Sequence, residues 1–343
     1  MLYKWLIRPV LFLFPAETAH HLAFFALGVA RLIPGLLPFL RWVYGPHISH
    51  QVTIAGIKFP SRVGLAAGFD KDAKAVEALS ALGFGFIEVG TVTPRPQKGN
   101  PKPRLFRLPS EKALINRMGF NNEGIDKMVQ RLSALKNSGI IIGGNIGKNK
   151  DTTNENAIED YLACLRSLNG LVDYFVVNIS SPNTPGLREL QDKEPLRLLL
   201  EAVMSEIQSQ EKQVPVFLKI APDISEGQAD DIIDLVLKAK LAGLIISNTT
   251  ISREGLTLSK TDIESLGAGG LSGKPLFSKS TELLRYIKSK VSNSLVIIAS
   301  GGIMSEQDAY EKIKAGADLV QLYTGFIYEG PSLIRRIRSL ATS

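Results

Sequence analysis

A polar stretch in the middle of the chain carries the residue types best suited to chemistry. Residues 178–188, Asn-Ile-Ser-Ser-Pro-Asn-Thr-Pro-Gly-Leu-Arg, follow the apolar run 174–177. A β-branched and aromatic run that ends abruptly in Asn, Ser, Pro and Gly is typical of a buried strand that delivers polar side chains to a constrained loop. The two prolines fix φ, whereas Gly186 permits a conformation that other residues resist. The stretch predicts a functional loop, and an ordinary strand-to-helix connection is the simpler alternative.

Lys219 is a second candidate because it interrupts the apolar run 216–220. A buried lysine is costly unless it meets an anion. Its expected partner is a carboxylate, a carbonyl that forms a Schiff base, or the anionic form of a cofactor. A structural ion pair with an acidic residue at the same rim is the simpler alternative.

Histidine and cysteine usage excludes several kinds of site. The four histidines all fall within the first fifty residues: His20, His21, His47 and His50. The rest of the chain therefore lacks a His-ligated metal or a Ser-His-Asp triad unless the N-terminus folds over it. The single cysteine, Cys164, excludes an internal disulfide framework and a CxxC site. Its position in a predicted helix, 154–169, favours a small core residue, and no metal site is predicted.

Eight strand-like apolar runs alternate with helical patterns from about residue 52 onward. The runs are residues 63–67, 86–89, 140–142, 174–177, 216–220, 244–246, 295–298 and 319–323. Helical spacing is found in residues 70–82, 123–135, 195–208, 226–240, 279–291 and 306–314. Eight parallel strands, each followed by a helix, make an α/β fold of the (β/α)8 TIM barrel type, with the active site at the carboxyl ends of the strands.

The carboxyl ends of these runs are rich in amides, hydroxyls and glycines. Such a lining suits a neutral polar heterocycle that is read by amide hydrogen bonds. Glycines in 269–273, at 301–302 and at 325 follow the last three strands, where barrels commonly bind phosphate. A phosphorylated cofactor or substrate is therefore expected. Residues 94–117 are too long for an ordinary loop and are predicted to be an excursion from the barrel.

Residues 1–45 differ from the barrel in being apolar and broken by prolines. The longest uninterrupted apolar run, 22–30, is far shorter than the roughly 20 residues of a bilayer span. The predicted structure is a pair of short apolar helices that lie in a membrane interface, with cations at the headgroups. Helices packed on the barrel as ordinary core are the alternative. Gly45-Pro46 marks the boundary, so the predicted domains are 1–45 and 46–343.

The chain has 343 residues, 45% of them hydrophobic, and a formal net charge of +7. This length and composition allow a large core. The basic residues are scattered rather than clustered, so no nucleic-acid partner is predicted.

Five motifs in order resemble those of the quinone-dependent, membrane-associated class of dihydroorotate dehydrogenases. They are residues 64–71, 116–122, 178–188, 269–275 and 323–326. The resemblance covers nearly the whole chain, including the N-terminal extension. It implies oxidation of (S)-dihydroorotate to orotate in de novo pyrimidine biosynthesis, with FMN as hydride acceptor and a membrane quinone as final electron acceptor. We expect a monomer that binds the membrane surface peripherally, at the cytoplasmic face of the inner membrane.

The resemblance also implies roles for individual residues. Ser181 is the implied catalytic base, at a position where soluble relatives carry cysteine. The implied substrate contacts are Lys71, Asn116, Arg117, Met118, Gly119, Phe120, Asn178, Asn183, Asn248 and Thr249. The implied FMN contacts are Ala67, Gly68, Phe69, Asp70, Lys71, Thr91, Asn145, Asn178, Lys219, Ser247, Gly273, Gly302, Tyr323 and Thr324. Polar groups of a hypothetical apolar tunnel for the quinone are His20, Arg107 and Tyr323.

Two positions depart from the pattern of these relatives, since Ser247 stands where threonine is common and Phe69 where leucine is common. The implied chemistry removes a hydride from one ring carbon and a proton from its neighbour, so a base and the flavin must face opposite sides of the bond. A serine hydroxyl is a weak base, so Ser181 is expected to pass the proton to water or a neighbour. Lys219 would stabilise negative charge on the flavin.

Three other functions fit parts of the sequence. Another FMN barrel would oxidise a dihydropyrimidine or a 2-hydroxy acid instead. A Schiff-base aldolase would use Lys219 covalently. A non-catalytic membrane-binding protein would have a barrel that binds no flavin.

Overall fold

Three apolar helices open the chain in the computed structural model, which describes residues 2–45 and 51–340. A π-helical turn, Tyr3–Ile7, runs into α1 (Arg8–Phe12), and α2 (Ala16–Leu32) and α3 (Leu36–Tyr44) follow. The expected boundary at Gly45-Pro46 is described only up to Gly45, and His47 and His50 also lie outside the described residues. None of the described helices is by itself long and apolar enough to cross a membrane; α2 and α3 pass that test only as a pair bent by 111°.

A short hairpin and an alternation of strands and helices make up the rest of the chain. In order they are β1 (Val52–Ile54), β2 (Ile57–Phe59), β3 (Val63–Leu65), α4 (Val76–Ala81), β4 (Phe86–Val92), β5 (Leu105–Leu108), β6 (Ala113–Asn116), α5 (Ile125–Ser133), β7 (Ile141–Ile146), α6 (Ala157–Leu168), β8 (Tyr174–Asn178), α7 (Lys193–Ser209), β9 (Val216–Ile220), α8 (Glu226–Lys238), β10 (Gly243–Ile246), α9 (Lys260–Leu266), β11 (Gly270–Gly273), α10 (Phe277–Val291), β12 (Val296–Ser300), α11 (Glu306–Lys314), β13 (Leu319–Leu322), α12 (Thr324–Glu329) and α13 (Pro331–Leu340).

Eight of the strands close into a barrel in the order β3-β4-β7-β8-β9-β10-β12-β13, and β13 pairs back with β3. Every pairing is parallel. The predicted fold class is therefore confirmed, with each predicted apolar run at a barrel strand. Strands buried on both faces are apolar throughout because one face meets the barrel interior and the other meets the helices.

The lower half of the barrel is filled with aromatic rings. Phe86, Tyr174 and Phe217 meet inside it, and Phe59 of the β1–β2 hairpin packs on them from below. Glycine on a neighbouring strand makes room for these rings: a Cβ added at Gly143 would overlap the ring of Tyr174, its partner in the β7–β8 register. The hairpin thus closes the amino end of the barrel.

The N-terminal helices are fastened to the barrel by polar contacts and present apolar side chains outward. Buried Arg104 donates to Glu17 of α2 at 2.8 Å, and Arg338 of α13 donates to the carbonyl oxygen of Tyr44 at 2.6 Å. In contrast, Leu13, Phe25 and Trp42 are 82%, 72% and 79% exposed. These exposures disfavour the alternative in which the helices are ordinary core.

Two regions differ from the sequence-based expectation. The predicted helix 70–82 begins only at Val76, because the Asp70 carboxylate accepts the backbone N–H groups of Lys74 and Ala75, both at 2.8 Å. The predicted excursion 94–117 contains β5 and β6, which pair with β11 in a three-stranded antiparallel sheet beside the barrel. The pairing of β6 with β11 joins residues far apart in sequence, which no local pattern indicates.

The Gly143 position gives a direct test of the packed barrel interior. We expect Gly143→Ala to lower the free energy of unfolding by about 2 kcal/mol, because overpacking a filled core costs about 1–3 kcal/mol. The matched control is Gly144→Ala, whose Cβ would face outward, 3.2 Å from a methyl group of Val172. Urea unfolding measures both; equal losses would contradict the assignment of Tyr174 to a filled interior.

Candidate active site

A cavity opens at the carboxyl ends of the barrel strands, where the sequence places the candidate residues. Most of the predicted substrate and cofactor contacts line it together with Ser181: Ala67, Gly68, Lys71, Thr91, Asn116, Met118, Gly119, Phe120, Asn178, Asn183, Lys219, Ser247, Asn248, Thr249, Gly273, Gly302, Tyr323 and Thr324. Ser181 and Lys219 therefore share one cavity, as the implied chemistry requires.

Four predicted contacts lie outside the cavity lining. Arg117 turns away from it, since its guanidinium donates to the carbonyl oxygens of Leu266 and Ala268 at 2.7 and 2.9 Å. Asp70 is fully buried, and burial raises the pKa of its carboxyl to about 6 although two backbone N–H groups oppose the shift. Phe69 packs among aromatic rings, and Asn145 lies one layer below the cavity. Phe69, Asp70 and Asn145 therefore support the cavity lining from behind rather than form part of it.

A layer of polar side chains separates the cavity from the aromatic floor. Glu88, Asn145, Lys219 and Gln321 each follow an inward-facing residue of the same strand by two positions, so all four point into the barrel. Asn145 Nδ2 donates to Glu88 Oε1 at 2.7 Å, and Gln321 donates to the other Glu88 oxygen. Lys219 Nζ lies 3.5 Å from Glu88 Oε1. One buried carboxylate thus binds side chains from three other strands.

Lys219 therefore fits both interpretations offered by the sequence, a structural ion pair and a residue of the site. Its ammonium pairs with Glu88, yet the side chain also lines the cavity. Sequence reasoning missed Glu88, although it carries the same signal as Lys219, a lone charge within an apolar strand. A buried pair by itself is a weak argument for stability, so its position directly below the cavity is the more informative fact.

Asn178 connects this layer to the loop that follows β8. Its Nδ2 donates to Thr91 Oγ1 at 2.8 Å and to Asn145 Oδ1 at 3.2 Å. Its Oδ1 accepts from Ser180 Oγ at 2.9 Å, and Ser180 Oγ in turn accepts from Asn248 Nδ2 at 3.0 Å. The amide groups are thus oriented by one another.

The loop that carries Ser181 is held from both ends. Ser181 Oγ accepts the backbone N–H of Asn183 at 3.2 Å, and Asn183 Nδ2 donates to Asn116 Oδ1 at 3.0 Å. Gly186 has φ of 68°, the left-handed conformation for which glycine is suited. At the end of the loop Arg188 donates to the carbonyl oxygens of Ser180 and Thr249, at 3.1 and 2.9 Å. The serine is therefore fixed against the polar wall of the cavity.

Two features of the cavity fit a polar, anionic ligand. The hydroxyl oxygen of Thr249 is buried and has no hydrogen-bond partner among the described residues, so it is free to bind a ligand group. Gly273 and Gly302 have φ of 97° and 81°, and a side chain at either would overlap neighbouring backbone. Their backbone lines the cavity as a narrow cradle in which N–H groups can face an anion.

Lys71 is the one cation among the predicted substrate contacts that lines the cavity in the described residues. Burial lowers the pKa of its ammonium to about 8, an effect that nearby Asp72 opposes. An anionic ligand beside it would raise this pKa again, because an opposite charge favours the charged form.

An aromatic series leads from the cavity to the N-terminal helices. Tyr323 lines the cavity, and its ring meets Phe69 edge-on at 5.7 Å between centroids. Phe69 in turn meets His20 of α2 at 5.4 Å. The third predicted quinone contact, Arg107, donates hydrogen bonds to the carbonyl oxygens of Leu11 and Phe12 at the end of α1 and of Phe14 in the turn that follows. Ring contacts through Phe69 thus connect His20 to Tyr323, whereas Arg107 binds the backbone of the N-terminal segment.

Comparisons of the sequence and of the structure with known proteins all point to one family. The profile of the family described as dihydroorotate dehydrogenase matches residues 49–341. The dihydroorotate dehydrogenase (quinone) of Christiangramia forsetii is 54% identical over 338 residues, which cover 98% of this chain and 97% of that protein. The dihydroorotate dehydrogenase (quinone) of Allorhizobium ampelinum is 51% identical, covering 96% and 89%. Among solved structures, the Eimeria tenella DHODH in complex with ferulenol has a TM-score of 0.85 and 39% identity, covering 94% of this chain and 89% of that one.

The burial of His20 generates a prediction about acid stability. Burial lowers the pKa of His20 to about 3, so below about pH 6.5 the unfolded chain binds a proton that the folded chain does not. The free energy of unfolding should therefore fall as the pH is lowered from 7 to 4.5, by about 3 kcal/mol more in the wild type than in His20→Gln. The matched control is His21→Gln, at the exposed neighbouring position, which should behave as the wild type. Identical pH profiles for wild type and His20→Gln in urea unfolding would show that His20 is solvated.

Proposed function

The chain belongs to the dihydroorotate dehydrogenase family, and we propose that its cavity oxidises (S)-dihydroorotate to orotate in pyrimidine biosynthesis, with a quinone as final electron acceptor. The observation that carries this proposal is the shared cavity of Ser181 and Lys219, at the mouth of a barrel half identical to quinone-dependent relatives over nearly its whole length. The flavin that we propose for this family member is FMN.

The cavity fits FMN in both charge and shape. Lys219 supplies a cation at the floor, and the amides and hydroxyls of Thr91, Asn178 and Ser247 offer hydrogen bonds to a polar ring system. The cradle of Gly273 and Gly302, with Thr324 beside it, would hold the phosphate. When bound, FMN supplies the acceptor for the hydride. Asn145 and Asp70 would act from below the lining by orienting the residues in contact.

Dihydroorotate would be held by the polar wall opposite the cofactor. Its carboxylate would pair with Lys71, since a charge-assisted hydrogen bond offsets the burial of both groups. Asn116, Asn183 and Asn248 would bind the ring amides, and the unpaired hydroxyl of Thr249 would complete the set. These residues orient the ring so that one face meets Ser181.

Ser181 would accept the proton from the ring carbon next to the one that loses the hydride. The N–H of Asn183, which donates to its Oγ, would stabilise negative charge on that oxygen. Because a hydroxyl is a weak base near neutral pH, Ser181 has to release its own proton to water or a neighbouring group as the proton from the ring carbon arrives. The Glu88–Lys219 pair argues against a Schiff-base aldolase, since the Lys219 nitrogen is engaged by a buried carboxylate and is not free to form an imine.

The N-terminal segment, residues 1–45, would provide access for the quinone. Its exposed Leu13, Phe25 and Trp42 would lie in the acyl boundary of a bilayer, which makes the chain a peripheral membrane protein. The aromatic series from His20 through Phe69 to Tyr323 would lead toward the cofactor. The proposal extends to a monomer at the cytoplasmic face of the inner membrane, with residues 46–343 as the catalytic barrel.

Anaerobic flavin reduction tests the catalytic proposal. Dihydroorotate should bleach the bound flavin of the wild-type protein, and a quinone should restore its colour. Ser181→Ala should retain the flavin yet be reduced at least about 100-fold more slowly, because general-base catalysis contributes about 10²–10⁴-fold. Stopped-flow absorbance measures both rates.

The control for this experiment is Ser265→Ala, at an exposed serine that does not line the cavity. Unchanged reduction in Ser181→Ala would remove Ser181 from the mechanism. A flavin bleached equally by a dihydropyrimidine that lacks the carboxylate would favour the competing FMN barrel over dihydroorotate oxidation.

The membrane proposal predicts a separable defect. The double variant Phe25→Glu, Trp42→Glu should lose binding to phosphatidylcholine–phosphatidylglycerol vesicles and at least about 90% of its turnover with a long-tail quinone, because two charges oppose insertion. Flavin reduction by dihydroorotate should be unchanged. Tyr310→Glu, at a half-exposed aromatic residue of α11, is the matched control. Full vesicle binding by the double variant, measured by flotation, would contradict the assigned membrane face.

A further inference from the structure

Lys312 of α11 is a buried cation for which the proposed chemistry provides no use. Its side chain is fully buried. Its ammonium donates to Ser280 Oγ at 2.6 Å and lies 3.5 Å from the carbonyl oxygen of Phe277. A buried ammonium is costly unless an anion or several acceptors compensate it.

No acidic side chain compensates Lys312 within the described ranges, 2–45 and 51–340, since none lies within 4.0 Å of its ammonium. The acids of the same helix are engaged elsewhere. Glu306 pairs with Arg336 at 2.9 Å, and Asp308 accepts the backbone N–H of Met304 at 2.9 Å. Glu311 faces Arg285 at 4.0 Å. Burial and Arg285 lower the pKa of Lys312 to about 7, and Asp308, one turn earlier in α11, opposes this shift.

The two partners of Lys312 belong to the first turn of α10, which supports the glycine cradle. Ser280 Oγ lies 3.2 Å from the carbonyl oxygen of Gly301. The following residue, Gly302, packs so closely on Phe277 that a Cβ there would overlap the Phe277 backbone. Lys312 is therefore separated from the cavity lining by a single side chain, that of Ser280.

This position places a second source of positive potential behind the cradle. The first turn of α10, a helix of 15 residues, carries the positive end of the helix dipole. The ammonium of Lys312 reinforces it from behind, in a low-dielectric environment where charge interactions are strong. The cavity is where a compensating anion can bind.

We propose that Lys312 is a positioning residue for the phosphate group of the bound cofactor: through Ser280 it fixes the turn at Gly301 and Gly302, and its charge favours a dianionic group in the cradle. This inference rests on the proposed binding of FMN. It concerns the phosphate alone, so it predicts that Lys312 discriminates between FMN and riboflavin, which share the ring system and differ in the phosphate.

The test compares the binding of FMN and riboflavin to full-length protein. Flavin is removed by dialysis against high salt, and each compound is titrated back while its fluorescence is followed. Lys312→Met should raise the Kd for FMN about tenfold or more, the size expected for loss of an interaction with a charged group. The Kd for riboflavin should change less than about twofold. Lys314→Met, at an exposed position of the same helix, is the matched control and should leave both values unchanged.

A second variant keeps the test decisive if Lys312→Met fails to fold. Ser280→Ala removes the link between Lys312 and Gly301 while keeping the cation, and it should weaken FMN about threefold without affecting riboflavin. Lys312→Arg, which preserves the charge, should restore part of the discrimination. Equal weakening of FMN and riboflavin would show a general structural role, and an unchanged Kd for FMN would overturn the proposal.

The result at Lys312 can be distinguished from a failure of the proposed function. The titrations do not use dihydroorotate, so a negative result at Lys312 leaves the oxidation of dihydroorotate by the chain intact. Wild-type protein that binds neither FMN nor riboflavin would instead overturn the proposed function itself.

Discussion

The buried pair of Glu88 and Lys219 joins the inside of the barrel to its chemically active mouth. The carboxylate lies on β4, and it binds a lysine from β9, an amide from β7 and an amide from β13. Charges of this kind are expensive to bury unless every oxygen and proton finds a partner. Both oxygens of the Glu88 carboxylate have partners, and through Asn145 the network reaches Asn178, from which the polar wall of the cavity is built. Moving β4 or β9 would leave one of the two charges unpaired.

The barrel follows from local patterns because its strands are apolar on both faces and end in polar residues. Lys219 is identifiable in the sequence for the opposite reason, as a charge where none is expected. Glu88 has the same signature and would have been found by the same criterion. The pairing of Glu88 with Lys219 is not visible in the local sequence, because it depends on two strands, 131 residues apart, that meet inside one barrel.

Motif resemblance places residues in a neighbourhood but does not give their orientation. Met118 and Phe120 face the cavity, whereas Arg117 between them turns to the carbonyl oxygens of Leu266 and Ala268. Asp70 similarly belongs to the loop after β3 that lines the cavity, yet its carboxylate accepts the backbone N–H groups of Lys74 and Ala75 just before α4 begins. The pairing of β6 with β11 could not be predicted from the sequence because its hydrogen bonds connect segments more than 150 residues apart, as in Asn116 and Gly270. Side-chain direction and non-local pairing are therefore what the coordinates add.

The aromatic plug beneath the barrel limits how two very different reactants can share it. Phe59 and the rings above it fill the amino end of the barrel, so no reactant can pass through it. Dihydroorotate and the quinone must therefore both approach the open carboxyl end. They can still keep apart laterally: β8, which leads to Ser181, lies four strands from β13, which leads to Tyr323, in either direction around the ring of eight. A water-borne molecule and a lipid-borne one can thus work on opposite flanks of one cofactor without ever touching. The geometry favours alternating half-reactions, each completed on its own side.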